Sequence, residues 1–154
     1  MLPRVCVHTM VLIVRSVSIE DAIAAGTTVV VDRYYYSGCV YSAAKQNPAL
    51  DLNWTRHPEE GLPRPDACFF LELTAAEAAK RGGFGEERYE KKELQDRVRQ
   101  LFAAIRSSPD GDDFVTIDAG RSIDEVEASI LEAFERVCKR VDDEQSPLRR
   151  CVPW

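Results

Sequence analysis

Three valines in a row end in an acid, a cation and an aromatic: Val29-Val30-Val31-Asp32-Arg33-Tyr34. With Thr27 and Thr28 ahead of them they make an unbroken β-branched run. Side chains branched at Cβ lose rotamer freedom in a helix and suit a pleated strand. A run without polar alternation predicts a strand buried on both faces, the kind that lies in a parallel sheet covered by helices. An acid at the C-terminal edge of such a strand can hold a hydrated Mg²⁺ beside phosphates. An arginine opening the next helix adds a fork of donors to a helix N-terminus already suited to anions. The six residues read as a phosphate-handling edge of an α/β sheet. They read equally well as a buried strand whose Asp-Arg pair makes a surface ion bridge.

The rest of the chain supports the same class. Ser18 predicts a helix start, with Asp21 at the capping-box position and Gly26 as the stop. A helix follows over residues 34–46, ended by Pro48. Residues 47–65 carry Pro48, Pro58, Gly61, Pro63 and Pro65 and read as a loop. A second buried strand is expected over Ala67–Leu73, then a short helix over Ala75–Arg81 capped by Thr74. A glycine-rich charged loop leads into a long helix reaching about Ser107. Phe114–Asp118 reads as a third strand. Ser122 caps a last helix, with Ile123, Val126, Ile130, Phe134 and Val137 at helical spacing. Residues 142–154 read as a polar tail without clear structure. Strands alternating with helices argue for an α/β sandwich with a mainly parallel sheet.

Size and charge narrow the function. A chain of 154 residues fits one domain and can bury about 70% of its unfolded surface. A formal charge of −6 argues against a nucleic-acid polymer as partner but not against small phosphorylated ligands, which need only a few local cations. The five cysteines are widely spaced, odd in number and free of any CxxC, so reduced thiols in a cytoplasmic-type compartment fit better than a disulfide framework or a zinc site. His8 and His57 stand alone and suggest no metal cluster. No span reaches the roughly 20 apolar residues of a membrane helix. Val5 to Val14 loosely mimic a signal peptide, but His8 and Thr9 interrupt the run, which reads as a strand or an irregular start.

Two constellations carry chemistry. Arg33, Ser37 and Tyr41 are spaced by four and share one helical stripe, with Gly38 beside them. A cation, a hydroxyl and an aromatic on one face suit a nucleoside monophosphate, the arginine on phosphate and the tyrosine against sugar or base. Some of Tyr34, Tyr35, Tyr36 and Tyr41 must instead be core, because a helix cannot point three consecutive residues one way. The second constellation is Arg81-Gly82-Gly83-Phe84-Gly85-Glu86-Glu87-Arg88-Tyr89-Glu90. Such a loop can close over transferring phosphoryl groups, exclude water and supply positive charge. A solvated hinge, its glutamates favouring the next helix N-terminus, is the plainer alternative.

These residues resemble a known family. Asp32-Arg33-Tyr34-x-x-Ser37-Gly38-x-x-Tyr41-x-x-Ala44-Lys45 is similar to the DRY segment of thymidylate kinases. Gly61-Leu62-Pro63-Arg64-Pro65-Asp66 resembles the approach to their next strand. Ala79-Lys80 and the loop after them resemble the lid, and Ile117-Asp118-Ala119-Gly120-Arg121-Ser122-Ile123 the loop beside the ATP base. The segments run in the family's order over about residues 16–141. The division is 1–15 unassigned, 16–141 kinase-like, 142–154 tail.

The resemblance implies a three-layer α/β sandwich of the P-loop nucleoside monophosphate kinase type, N-terminally truncated, that passes the γ-phosphoryl of Mg-ATP to dTMP in dTTP synthesis. Arg33 would grip the dTMP phosphate, and Asp32 would sit near Mg²⁺ and the reacting phosphates, touching the ion through water. Ser37 and Gly38 would line the acceptor site, and Tyr41 would crowd the position of a 2′-hydroxyl. Arg81 would reach ATP from the lid, and Arg121 would flank adenine. Glu87, Tyr89, Glu90 and Gln95 lie where lid and acceptor meet. A homodimer and a cytoplasmic location, with a nuclear one compatible, are implied as well. The chain departs from the pattern in one respect: no GxxxxGK[ST] occurs in it. The phosphate-cradling loop, its lysine and its Mg²⁺-binding hydroxyl are therefore missing from these residues. Negligible kinase activity is expected of the polypeptide alone, and a non-catalytic nucleotide- or partner-binding relative, a fragment, or a kinase of another base preference are the competing readings.

Overall fold

The computed structural model describes residues 15–45, 47, 49–80 and 92–154. The irregular start expected before residue 15 and the glycine-rich loop lie outside the described residues. The rest is an α/β arrangement whose contacts divide into two compact units. One unites residues 15–64, 96–104 and 148–154; the other unites 65–80, 92–95 and 105–147.

In the first unit, helix α1 occupies residues 15–24. Ser18 lies inside it, so it is not the cap its sequence context predicts; the expected capping pair of Ser18 and Asp21 faces a turn already formed. The other end follows the sequence. Gly26 takes φ +78° and its N–H donates to the Ile23 carbonyl, while the Thr27 N–H donates to Ala22 (both 2.9 Å). Those two bonds satisfy carbonyls the helix leaves open, in a left-handed turn that glycine adopts without a Cβ penalty.

Residues 27–31 correct the opening expectation. They form no strand, and Val30 is 85% exposed and Val31 44%. A β-branched sequence favours an extended backbone, but a ladder needs a neighbour, and no strand among the described residues pairs with this one. Helix α2, Tyr35–Ala43, is shorter than the 34–46 expected. Helix α3, Leu52–Arg56, and the 3₁₀ turn His57–Glu59 break what reads as loop. Asp51 caps α3, its carboxylate accepting from the Trp54 N–H at 2.7 Å. The core of this unit gathers Tyr35, Tyr36, Cys39, Val40, Ala43, Ala44, Leu62, Val98 and Cys151.

The second unit holds a two-stranded parallel sheet, β1 Cys68–Glu72 with β2 Phe114–Asp118, in register from Cys68 opposite Phe114 to Glu72 opposite Asp118. The strands were expected here, but β1 is only half-buried, and Leu71 is 54% exposed. Between them lie α4, Ala75–Lys80, and α5, Lys92–Arg106, whose middle residues 96–104 belong to the first unit. Helix α6, Ile123–Glu144, follows β2 and packs on it. Ala133 is its buried residue; Val126, Ile130, Phe134 and Val137 are half-buried, whereas Ile123 is exposed. Among the described residues no helix is long and apolar enough to cross a membrane.

Residues 142–154 have more structure than their composition suggests. Helix α6 runs through Glu144 and stops at Gln145 in the left-handed conformation (φ +46°). Farther on, Pro63 and Arg150 form an antiparallel bridge.

Candidate functional site

Two junctions present the predicted residues, one in each unit. The first is the corner between residues 27–31 and α2. Asp32 and Arg33 are exposed. Arg33 holds φ +61°, a left-handed conformation that costs a non-glycine residue about 1–2 kcal/mol. Its guanidinium lies over the Tyr41 ring, 5.9 Å from the centroid. Ser37 and Gly38 lie half-buried between them in sequence, as Tyr41 is. The helix sorts its aromatics as the spacing requires: Tyr35 and Tyr36 go to the core with Cys39, Val40 and Ala43, while Tyr41 stays with Arg33. The Cys39 thiol donates to the Thr55 carbonyl at 3.2 Å and fixes the buried face on α3.

Tyr34 is the N-cap of α2. No side chain caps the helix there, and its first turn carries no acid. The helix's own first turn therefore leaves its N-terminal N–H groups to other partners, the condition under which an anion can bind. The Tyr34 ring packs against that of Tyr35, tilted by 57° with centroids 4.9 Å apart, and its hydroxyl is buried with no hydrogen-bond partner among the described residues. Burial pushes that hydroxyl up to about 12; the nearby charges of Glu59 and Glu20 add to the rise, and Arg150 offsets part of it.

The second junction is the C-terminal edge of the parallel sheet. Glu72, Thr74, Glu77, Thr116, Asp118 and Arg121 line a hollow of about 290 Å³ there. Ligands of open parallel sheets bind outside the carboxyl ends of strands. Asp118 accepts from the Gly120 N–H at 2.9 Å and from Arg121 Nε at 3.3 Å, leaving Arg121 half exposed. A Cβ on Gly120 would stand 2.5 Å from Glu77 Oε1, so a larger residue there would push the Glu77 carboxylate aside. Thr74 and Glu77 form a reciprocal cap: the Glu77 N–H donates to Thr74 Oγ1 and the Thr74 N–H to Glu77 Oε2, each at 3.2 Å. Arg106 closes the side of the sheet, 3.0 Å from Glu72 and over the Phe70 ring at 4.8 Å. Ser122 and Glu125 make a full capping box at the start of α6, and the bond from Ser122 holds the Glu125 carboxyl below its usual range.

Of the predicted residues, Asp32, Arg33, Ser37, Gly38 and Tyr41 come together at the first junction, and Arg121 lies at the second. Gln95 sits half-buried on α5. Arg81, Glu87, Tyr89 and Glu90 lie outside the described residues. Sequence reasoning missed Glu72, Thr74, Glu77 and Thr116 as the wall of the strand-end hollow. The available signal was their position: Glu72 and Asp118 end two parallel strands, and Thr74 with Glu77 three residues on spells a capping box.

A family model described as thymidylate kinase matches residues 7–130. The chain is 41% identical over 124 residues to a thymidylate kinase of Dictyostelium discoideum, covering 80% of this chain and 53% of that protein. It is 41% identical over 112 residues to the human thymidylate kinase, 73% of this chain and 51% of that one. Among solved structures, a thymidylate kinase from Candida albicans superposes with a TM-score of 0.74 at 26% identity, over 94% of this chain and 70% of that chain. The chain spans about half the length of the curated relatives it matches.

Proposed function

This chain belongs to the thymidylate kinase family, with the α/β fold of the P-loop kinases, and from that premise we propose that it carries the acceptor side of a phosphotransferase that passes the ATP γ-phosphoryl to dTMP, giving dTDP. The observation that supports this most is the corner itself: Arg33, held in a strained conformation over Tyr41, stands beside a helix N-terminus without a cap or an acid. Strain of this kind persists where surroundings impose it and concentrates at functional sites. Arg33 takes the dTMP phosphate, Ser37 and Gly38 line the acceptor site, and Tyr41 narrows the space for a 2′-hydroxyl. Arg121 flanks the adenine of ATP at the strand-end hollow; Arg81 acts on ATP, and Tyr89 and Gln95 on the acceptor side.

Asp32 fits Mg²⁺ in one way only. It is a single exposed carboxylate, and among the described residues no group of three metal-binding side chains converges. That suits an ion that arrives on ATP phosphates and keeps its waters, touched by Asp32 through one of them. Bound there, Mg²⁺ neutralises charge on the transferring phosphoryl.

No GxxxxGK[ST] lies within these 154 residues. Phosphoryl transfer depends on positioned donors, and losing one donor from a preorganised site typically costs about 100- to 1000-fold. The 154-residue polypeptide therefore binds dTMP but turns it over negligibly. We assign the protein to a reducing, cytoplasmic-type compartment and its assembly to a homodimer. A coupled assay tests the reading. The polypeptide alone should show no turnover of dTMP with Mg-ATP, and fusion to a P-loop-bearing N-terminal segment of a relative should restore it. Ordinary turnover by the polypeptide alone, or none from the well-folded fusion, overturns it.

A further inference from the structure

Residues 149–154 belong to none of the motifs above, yet they are built into the first unit. The Cys151 N–H donates to the Leu62 carbonyl and the Gly61 N–H to the Cys151 carbonyl, both at 2.9 Å. The Arg64 N–H donates to Arg149 at 2.8 Å. Cys151 is buried, and its thiol meets the guanidinium of Arg56. Arg56, only 2% exposed, lies 5.1 Å from the Tyr35 ring centroid and 5.7 Å from that of Trp154. On the other side the Arg150 fork grips Glu20 of α1 at 2.7 and 2.9 Å and reaches the Gly61 carbonyl at 3.2 Å.

We propose that residues 149–154 are a strap that positions the Asp32–Arg33 corner, with Arg150 as its positioning residue. The corner has two anchors. The chain reaches Asp32 from α1 through Gly26 and residues 27–31, a stretch with no ladder to hold it. It leaves Arg33 through Tyr34 and Tyr35 into α2. The strap ties both anchors: Arg150 holds α1 at Glu20, and Arg56, packed between Trp154 and Tyr35, holds the first residue of α2. An unfavourable backbone angle such as that of Arg33 survives only when both flanks are fixed. The Arg150 guanidinium bonds to Glu20 and the Gly61 carbonyl, neither of them assigned to the ligand. The buried Tyr34 hydroxyl, which feels Glu20, Glu59 and Arg150 together, marks where the strap and the corner meet. The effect on ligand affinity rests on the acceptor-site reading above; the effect on the order of the corner does not.

Amide hydrogen exchange and calorimetry with dTMP on the 154-residue chain test this together. Arg150→Glu sets a carboxylate against Glu20. It should speed exchange of residues 32–38 at least 10-fold, leave α6 unchanged and weaken dTMP binding at least 5-fold. Adding Glu20→Arg should restore both to within about 2-fold, which mere loss of a surface charge would not do. Glu20→Gln, which removes the pair without repulsion, should move exchange in the same direction by about 3-fold and serves if Arg150→Glu fails to fold. Exchange of residues 32–38 at the parent rate in folded Arg150→Glu, or in Glu20→Gln if that variant fails to fold, overturns the strap; faster exchange there with dTMP affinity unchanged overturns the acceptor reading instead. If the parent binds no dTMP while the exchange pattern follows the charge reversal, the acceptor reading falls and the strap stands.

Discussion

The two junctions repeat one sequence idea with opposite outcomes. Val31-Asp32-Arg33-Tyr34 and Ile117-Asp118-Ala119-Gly120-Arg121-Ser122 each run from an apolar stretch through an acid and an arginine into a helix. At the second, every local demand is met. Asp118 binds the Gly120 N–H and Arg121, and Ser122 with Glu125 closes the N-terminus of α6. At the first, the arginine sits at a positive φ, the N-cap is a tyrosine that caps nothing with its side chain, and the first turn of α2 carries no acid. Natural sequences agree with their structure at most positions and depart from it where function demands. The satisfied junction reads as a structural hinge of the sheet that also offers Arg121 outward. The unsatisfied one is the place to look for an anion.

Substitutions at the two junctions should separate these roles. The largest effect belongs to Arg33→Gly. Glycine accepts φ +61° without the Cβ penalty, so thermal unfolding should show stability unchanged or raised by up to about 1 kcal/mol. Affinity for dTMP, read by calorimetry, should fall on the order of 100-fold through loss of a charge-assisted, two-pronged contact. A loss of stability at this position would show that the residue serves the fold. Ser122→Ala should behave in the reverse sense: about 1 kcal/mol of stability lost with the cap, and dTMP affinity unaltered. Should it weaken dTMP as strongly as Arg33→Gly, the two junctions are not distinct. The smallest effect is spectroscopic. With its hydroxyl pushed from 10.0 to about 12, Tyr34 keeps its proton in the folded chain where the unfolded chain loses it. The unfolded state then binds fewer protons between those values, so stability declines as pH rises from about 10 towards 12. Absorbance of tyrosinate should show a late-titrating component that loses the amplitude of one tyrosine in Tyr34→Phe; an unchanged late component in that variant would mean the Tyr34 hydroxyl is solvated.

Local rules carried much of the sequence reading. Gly26, Thr74 and Ser122 end or begin helices where their chemistry says they should, because a cap is decided within a few residues. The strands at 68–72 and 114–118 were legible too; the helical stripe expected to carry Arg33 with Ser37 and Tyr41 was not, because α2 begins at Tyr35 and Arg33 reaches the Tyr41 ring from a left-handed turn ahead of the helix. What escaped was set by partners. Residues 27–31 have strand composition, but composition supplies no ladder. Ser18 looks like a cap because nothing local reveals that the helix is already under way at residue 15. The pairing of Cys151 with Leu62 links positions far apart in the chain, and no periodicity in the six residues 149–154 announces it. The left-handed angle of Arg33 was also invisible, since the usual marker of such an angle is a glycine and here an arginine holds it.

Amide chemical-shift mapping of dTMP on the ¹⁵N-labelled 154-residue chain asks directly which junction takes the phosphate. Saturable shifts centred on residues 32–41, with 118–125 left in place, are the expected result. Shifts confined to residues 118–125, or none at any concentration, would contradict it.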